Sequence, residues 1–274
     1  EEKKQDETST PTDTTAAAEE DWNVTDNPPI IQYNPMTLGN TEVFLSLFNK
    51  GKNQIIDGEI EVIDKDRSRT ITKVKGNEYL MLPDPKSKTG QIVLVCDIFG
   101  YKKVTQEINY PLPLGDTIKS YVDLMGTTLV VNFNMERYSK GEMGTLYNVI
   151  FHNDAAIMLP DSKKELNGLL AFMQESNSRR IRLHGHTNGN YNGKLITVGP
   201  DKNFFSMEGA VTGVGSSKDL SFKRAEVIKE YLIANGIAAD RIEIKAWGGK
   251  KPLYDKMSVN AKKNVRVEVE VLAD

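Results

Sequence analysis

Cysteine is nearly absent from this chain: one in 274 residues. A single thiol excludes an internal disulfide, so whatever stabilises the fold is packing and hydrogen bonding. Cys96 lies inside the apolar run from Gln91 to Phe99 and reads as a buried strand residue that says nothing about the redox compartment. No run approaches the ~18–20 apolar residues that a membrane-spanning helix needs. No leader with a basic start and an apolar centre is present either; the chain opens on Glu-Glu-Lys-Lys and reads as processed or trimmed. Excess charge is also scarce, at −3 overall. Residues 1–28 carry nine acids against Lys3 and Lys4, leaving +4 for the remaining 246 residues. That surplus is too small and too dispersed for a nucleic-acid surface.

What is present is an ordinary globular composition, 39% hydrophobic and 27% charged, over a length that suits two domains. Residues 1–28 are rich in Glu, Asp, Thr and Ala with almost no large apolar side chains before Trp22, which predicts a flexible acidic linker. Residues 29–112 hold short strand-like runs separated by turn clusters such as Asn49-Lys-Gly-Lys-Asn53 and Asp84-Pro-Lys-Ser-Lys-Thr-Gly90. These predict a small all-β sandwich. The pieces Gly58-Glu-Ile-Glu-Val-Ile-Asp64 and Phe99-Gly-Tyr-Lys-Lys103 resemble the transthyretin-like fold of carboxypeptidase regulatory domains. Residues 113–146 read as a connector in which Thr128–Phe133 is a strand leading into the last domain.

From Tyr147 the pattern changes to βαβαββ, with 147–274 as one domain. Val149–Phe151 is expected as its first strand, and Ser162 with Glu165 as a capping box for a helix carrying Leu166, Leu169, Leu170 and Met173. Ile181–His186 is expected as the second strand. A helix capped by Ser221 should follow, ending at Asn235-Gly236. Ile242, Ile244 and Ala246 alternate along a third strand, and Val265, Val267, Val269 and Val271 alternate with Arg266, Glu268 and Glu270 along a fourth. Valines on one face and charges on the other predict an α+β domain whose mixed sheet has helices on one face only.

Arg224 stands out on chemistry. Placed three residues into a helix begun by Ser221, a guanidinium faces free backbone N–H groups and the positive dipole end, which is unfavourable unless an anion sits between them. Such a pair makes a clamp for carboxylate or phosphate; a solvated surface arginine is the bland alternative.

Five segments around it recur in order: Phe151-His-Asn-Asp154, Gly185-His-Thr-Asn188, Leu220-Ser-Phe-Lys-Arg-Ala225, Gly236-Ile-Ala-Ala-Asp-Arg241 and Asn264-Val-Arg-Val-Glu268. Together they resemble the OmpA-like peptidoglycan-binding family, which includes the Pal lipoproteins and the flagellar stator MotB. The resemblance implies a pocket for diaminopimelate, the diamino diacid of the peptidoglycan stem peptide. It assigns the ligand carboxylate to Arg224 and lines the pocket with Asn188, Asp154, His152, Thr187 and Leu220. Two features depart from the family pattern. Asn188 stands where the family has Asp, so it can accept a hydrogen bond from an ammonium but lacks the charge that strengthens it; Asp154 is the candidate to supply that charge. Asn188 and Arg224 are also 36 positions apart, further than is usual in the family. The insertion of 189–219, rich in Gly and carrying Phe204, Phe205 and Met207, reads either as a lid or partner surface or as a decoration packed on its own domain.

Two rivals come from the same residues. His152, His184 and His186, with Asp154, suggest a zinc hydrolase, although the spacing fits no metalloenzyme motif. No Ser-His-Asp or Cys-His arrangement and no phosphate loop emerges, so the expectation is no enzyme, no cofactor and no metal. Alternatively the domain is a protein–protein interaction module of an envelope complex that has lost peptidoglycan binding. The linker, sandwich and OmpA-like end together resemble PorE-type proteins of the type IX secretion and gliding apparatus. That resemblance implies a periplasmic chain, peripheral to the outer membrane, with peptidoglycan and other secretion-system proteins as partners.

Overall fold

The computed structural model describes residues 36–115 and 119–274. The acidic linker expected over 1–28 lies outside them.

The first half is strand-rich. In chain order come β1 (Val43–Asn49), β2 (Gln54–Ile55), β3 (Glu59–Asp64), β4 (Arg69–Lys75), β5 (Tyr79–Leu80), β6 (Gln91–Cys96), β7 (Val104–Asn109), β8 (Val122–Met125) and β9 (Thr128–Met135). They form two sheets, β2-β1-β9-β8 with β5 also on β1, and β4-β3-β6-β7. The period of two places Val43, Leu45 and Leu47 of β1 on one face. They join Leu129, Val131 and Phe133 of β9, and Ile60, Val62, Ile92 and Leu94 of the other sheet, in one core. Cys96 is fully buried there, and burial pushes its thiol pKa up to about 12.

The sandwich runs past the expected boundary at 112. Thr128–Phe133 is no lead-in to the last domain: β9 lies between β1 and β8 and pairs with β1 in parallel over seven residues, Val43↔Leu129 to Asn49↔Met135. Leu129, Val131 and Phe133 are inaccessible to solvent, so burial against the second sheet fixes the strand there.

The second half comprises β10 (Met143–Thr145), α1 (Lys163–Gln174), β11 (Arg180–His186), β12 (Asn192–Thr197), β13 (Val211–Ser216), α2 (Ser217–Ala234), β14 (Ile242–Gly248) and β15 (Arg266–Ala273). The main sheet runs β10-β15-β11-β14, with β11 and β14 parallel and the other pairings antiparallel. It is the expected mixed sheet. Its inner valines, Val267, Val269 and Val271, meet Leu166, Leu169, Phe172 and Met173 of α1 and Ala225, Ile228 and Leu232 of α2.

Three local expectations are corrected. The first strand of the sheet is β10, not Val149–Phe151; Phe151 makes only a single bridge, to Met158. Ser162 precedes α1 but does not cap it with its side chain. Its hydroxyl instead bonds the N–H and C=O of Ile150, and Glu165 accepts from the Asn148 N–H, so both tie the loop to the helix. α2 begins at Ser217, where Ser216 and Asp219 form a reciprocal capping box. With that box already in place, Ser221 turns inward: its hydroxyl accepts from the buried N–H of Gly248 and donates to the Lys218 carbonyl. The end of α2 is as expected, with Gly236 at φ +92° after Asn235.

Candidate functional site

The site gathers where β11 ends. Gly185 is required there because a Cβ would lie 2.0 Å from the Ser221 carbonyl oxygen, so only glycine lets α2 pass this close. Beyond it, the buried Thr187 donates its N–H to the Gly248 carbonyl, fixing the turn against the end of β14.

Arg224 is the eighth residue of α2, not the third, so the free N–H groups of the helix start are not its neighbours. What sets Arg224 apart is therefore burial rather than the helix start. Arg224 is 6% exposed, its Nε donates to the Ala155 carbonyl at 2.9 Å, and its Nη2 approaches the His152 carbonyl at 3.5 Å. The guanidinium carbon stands 5.1 Å from the centre of the Phe151 ring. Burial lowers its pKa to about 10, with Tyr191 and Asp154 acting in the opposite direction, so it stays a cation at neutral pH. Among the described residues it forms no ion pair. A buried cation held only by carbonyls is costly and is relieved by an anion.

The carbonyl acceptors come from a tight turn. Asp154 adopts the left-handed conformation at φ +52°, which Asp tolerates better than most residues. The insertion holds that turn. β12 and β13 form a hairpin in which Ile196 bridges to Ala155, donates its N–H to the Asp154 carbonyl and accepts from the Ala156 N–H. Phe204 and Phe205 from its loop pack edge-on against Tyr231 of α2. The insertion is thus docked on its own domain and also supports the site, since Tyr191 at its start lines the cavity.

That cavity has a volume of about 670 Å³ and brings together Arg224, Asp154, Asn188 and Thr187. Two expected members are placed otherwise. His152 contributes its backbone carbonyl to Arg224 while its ring is not part of the lining, and Leu220 is buried away from it. Asn188 is already engaged: its Oδ1 accepts from Asn264 at 2.9 Å and its Nδ2 donates to the Lys256 carbonyl. The fully buried Asn264 in turn accepts from the N–H groups of Leu253 and Tyr254. The Asn264 of the last motif is therefore the tie between the β11 turn and the loop before β15. Sequence reasoning missed Tyr191, Lys262 and Lys263 on the wall; all three flank quoted motifs, and that adjacency was the available signal.

His184 and His186 find their partners on the neighbouring strands of the sheet. His184 Nδ1 accepts from the Trp247 indole N–H at 2.9 Å, so its hydrogen is on Nε2, which donates to Glu270. His186 Nε2 reaches Glu268 at 3.1 Å, and Arg266 donates to the other oxygen of that carboxylate. Burial would raise the Glu268 pKa, but His186 and Arg266 outweigh it and hold it at about 2. No helix among the described residues is long and apolar enough to cross a membrane.

The segment that contains every one of these residues except Glu268 and Glu270 has known relatives. Residues 150–266 match the OmpA family. This part of the chain is an OmpA domain. Over 127 residues the chain is 26% identical to outer membrane porin F of Pseudomonas fluorescens, covering 46% of this chain and 32% of that one. The match thus spans about a third of the relative's length. Among solved structures, the periplasmic domain of Helicobacter pylori MotB is 20% identical with a TM-score of 0.38, covering 51% of this chain and 78% of that one. An outer membrane protein of Borrelia burgdorferi is 23% identical with a TM-score of 0.33, covering 50% and 94%. The cell wall anchor of the type VI secretion system of Pseudomonas aeruginosa is 17% identical with a TM-score of 0.34, covering 46% and 76%.

Proposed function

We propose that the OmpA domain binds peptidoglycan without cutting it, through the diaminopimelate of the stem peptide, and so anchors an envelope assembly to the cell wall in the periplasm. The observation that carries this reading is Arg224, a buried cation with no counter-ion among the described residues on the wall of a ligand-sized cavity. A ligand carboxylate supplies the missing charge and accepts from the guanidinium donors left over by Ala155 and His152. Asp154, exposed at the rim, is the group for the ligand ammonium. Asn188 orders the turn through Asn264 and offers the ligand at most a neutral contact. The linker, sandwich and OmpA domain in sequence support the narrower reading that the anchored assembly is of the type IX secretion kind, with the sandwich as a regulatory-type spacer.

Sedimentation with isolated sacculi tests this. The intact chain should pellet with them, and Arg224→Ala should bind about 30-fold more weakly, as expected when one partner of a buried charge pair is removed. Arg224→Lys, which keeps the charge and loses the fork, should fall between. If folded Arg224→Ala pellets like the unmodified chain, the reading fails. If the unmodified chain does not pellet at all, the engaged, neutral Asn188 favours the second reading, a protein-interaction module.

A further inference from the structure

The cavity is electrostatically lopsided. Arg224, Lys262 and Lys263 contribute three positive charges to its wall, and Asp154 contributes one negative. Among the described residues none of these four takes part in an ion pair, so the imbalance is not corrected from within. Arg266, also on the wall, is different: its charge is committed to Glu268 at 2.8 Å. The two lysines are exposed, yet their backbone is firmly placed. They sit in the short 3-10 turn Ala261–Asn264. The buried Asn264 ties that turn to Asn188 and to residues 253–254, and Arg266 donates to the Asn264 carbonyl. Lys263 Nζ further rests 5.8 Å from the Tyr254 ring.

Diaminopimelate inside a peptide matches Arg224 and Asp154 with one carboxylate and one ammonium, and so leaves the lysines unanswered. A cavity of about 670 Å³ also exceeds what one such residue fills. We propose that Lys262 and Lys263 form a second anion subsite, which takes a second carboxylate of the same peptide, on the acidic residue preceding the diamino diacid. The inference rests on the diaminopimelate reading of the Arg224 end. The subsite makes the domain selective for stem peptides whose acidic residue is free over those in which it is amidated, a difference of one charge at constant shape.

Calorimetric titration of the full chain with γ-D-glutamyl-diaminopimelate and with its α-carboxamide tests the proposal. The free acid should bind about 5-fold tighter than the amide, the size expected of a solvent-facing charge contact, and the preference should shrink as salt rises. Lys262→Ala/Lys263→Ala should weaken the acid to the level of the amide and leave the amide unchanged. Equal binding of acid and amide by the unmodified chain overturns the proposal, as does a preference that survives in the double variant. Arg224→Ala separates the two levels: it should weaken both peptides alike. If it weakens neither, or if the unmodified chain binds neither, the diaminopimelate reading falls and the subsite with it.

Discussion

The residue that most rewards attention is Asp154, because its backbone and its side chain have separable duties. Its left-handed φ of +52° shapes the turn that presents the Ala155 and His152 carbonyls to Arg224, while its carboxylate faces the cavity. Asn tolerates the same conformation, so Asp154→Asn should leave thermal unfolding within about 0.5 kcal/mol of the unmodified chain. It should nevertheless bind the diamino diacid about 5-fold more weakly, having lost charge alone. Equal affinity in titration would remove Asp154 from the ligand contacts. At this scale the sequence named four residues that the fold brings to one cavity, Arg224, Asp154, Asn188 and Thr187, and misread how Arg224 is held. The reading of Arg224 as an anion partner started from the dipole of a helix start, whereas the structure buries it beneath a turn from a distant segment. That distinction depends on where the capping box falls, and it falls at Ser216 and Asp219, with Ser216 five positions before the serine expected from the sequence as the cap.

At the scale of elements, the outward face of the main sheet is a polar layer built on three strands. β11 supplies His184 and His186, β14 supplies Trp247, and β15 supplies Arg266, Glu268 and Glu270. The indole stacks near both imidazoles, at 6.2 and 6.4 Å between ring centres. Glu268, its pKa lowered to about 2, contributes stability that is fully present above the ordinary carboxylate value near 4.5 and is lost as pH falls toward 2. His184, its pKa lowered by burial, contributes stability that fades as pH falls through 6.5 and below. Acid unfolding should therefore begin early. Glu268→Gln should be less stable by about 1–3 kcal/mol at pH 7 and should show a shallower loss between pH 4.5 and 2 in urea titrations. A parallel pH profile would mean the layer is not what holds the sheet in acid. The alternation of valine and charge along β15 made this face readable as polar, but not as closed; Trp247 covering two histidines has no periodic signature.

At the scale of the molecule, the two halves share a joint. Arg137, just past β9, has its guanidinium carbon 3.7 Å from the Tyr101 ring centre and pairs with Glu175 at the end of α1; Glu175 also takes Lys52 from the sandwich. Phe99, Tyr138 and Phe172 meet edge to face beside it. Residues 36–274 should accordingly unfold in one calorimetric transition. Arg137→Ala should cost about 2 kcal/mol and split that transition in two, with new proteolytic cleavage between residues 136 and 146. A single, unsplit transition in the variant would show that the sandwich and the OmpA domain are coupled elsewhere. The boundary of the sandwich was the least legible feature, since β1 and β9 are remote in sequence and nothing local in Thr128–Phe133 names its partner.

The parallel pairing of β1 with β9 has a mechanical consequence. β1 begins, and β9 ends, at opposite ends of a seven-residue ladder, and the chain then passes directly through the joint into the OmpA domain. A pull between the segment before Val43 and an occupied cavity would draw the two strands past each other along their length. The ladder's hydrogen bonds would then be loaded together in shear instead of opening one after another like a zipper. Two strands joined this way resist sudden tension far better than strands that can be peeled apart one bond at a time.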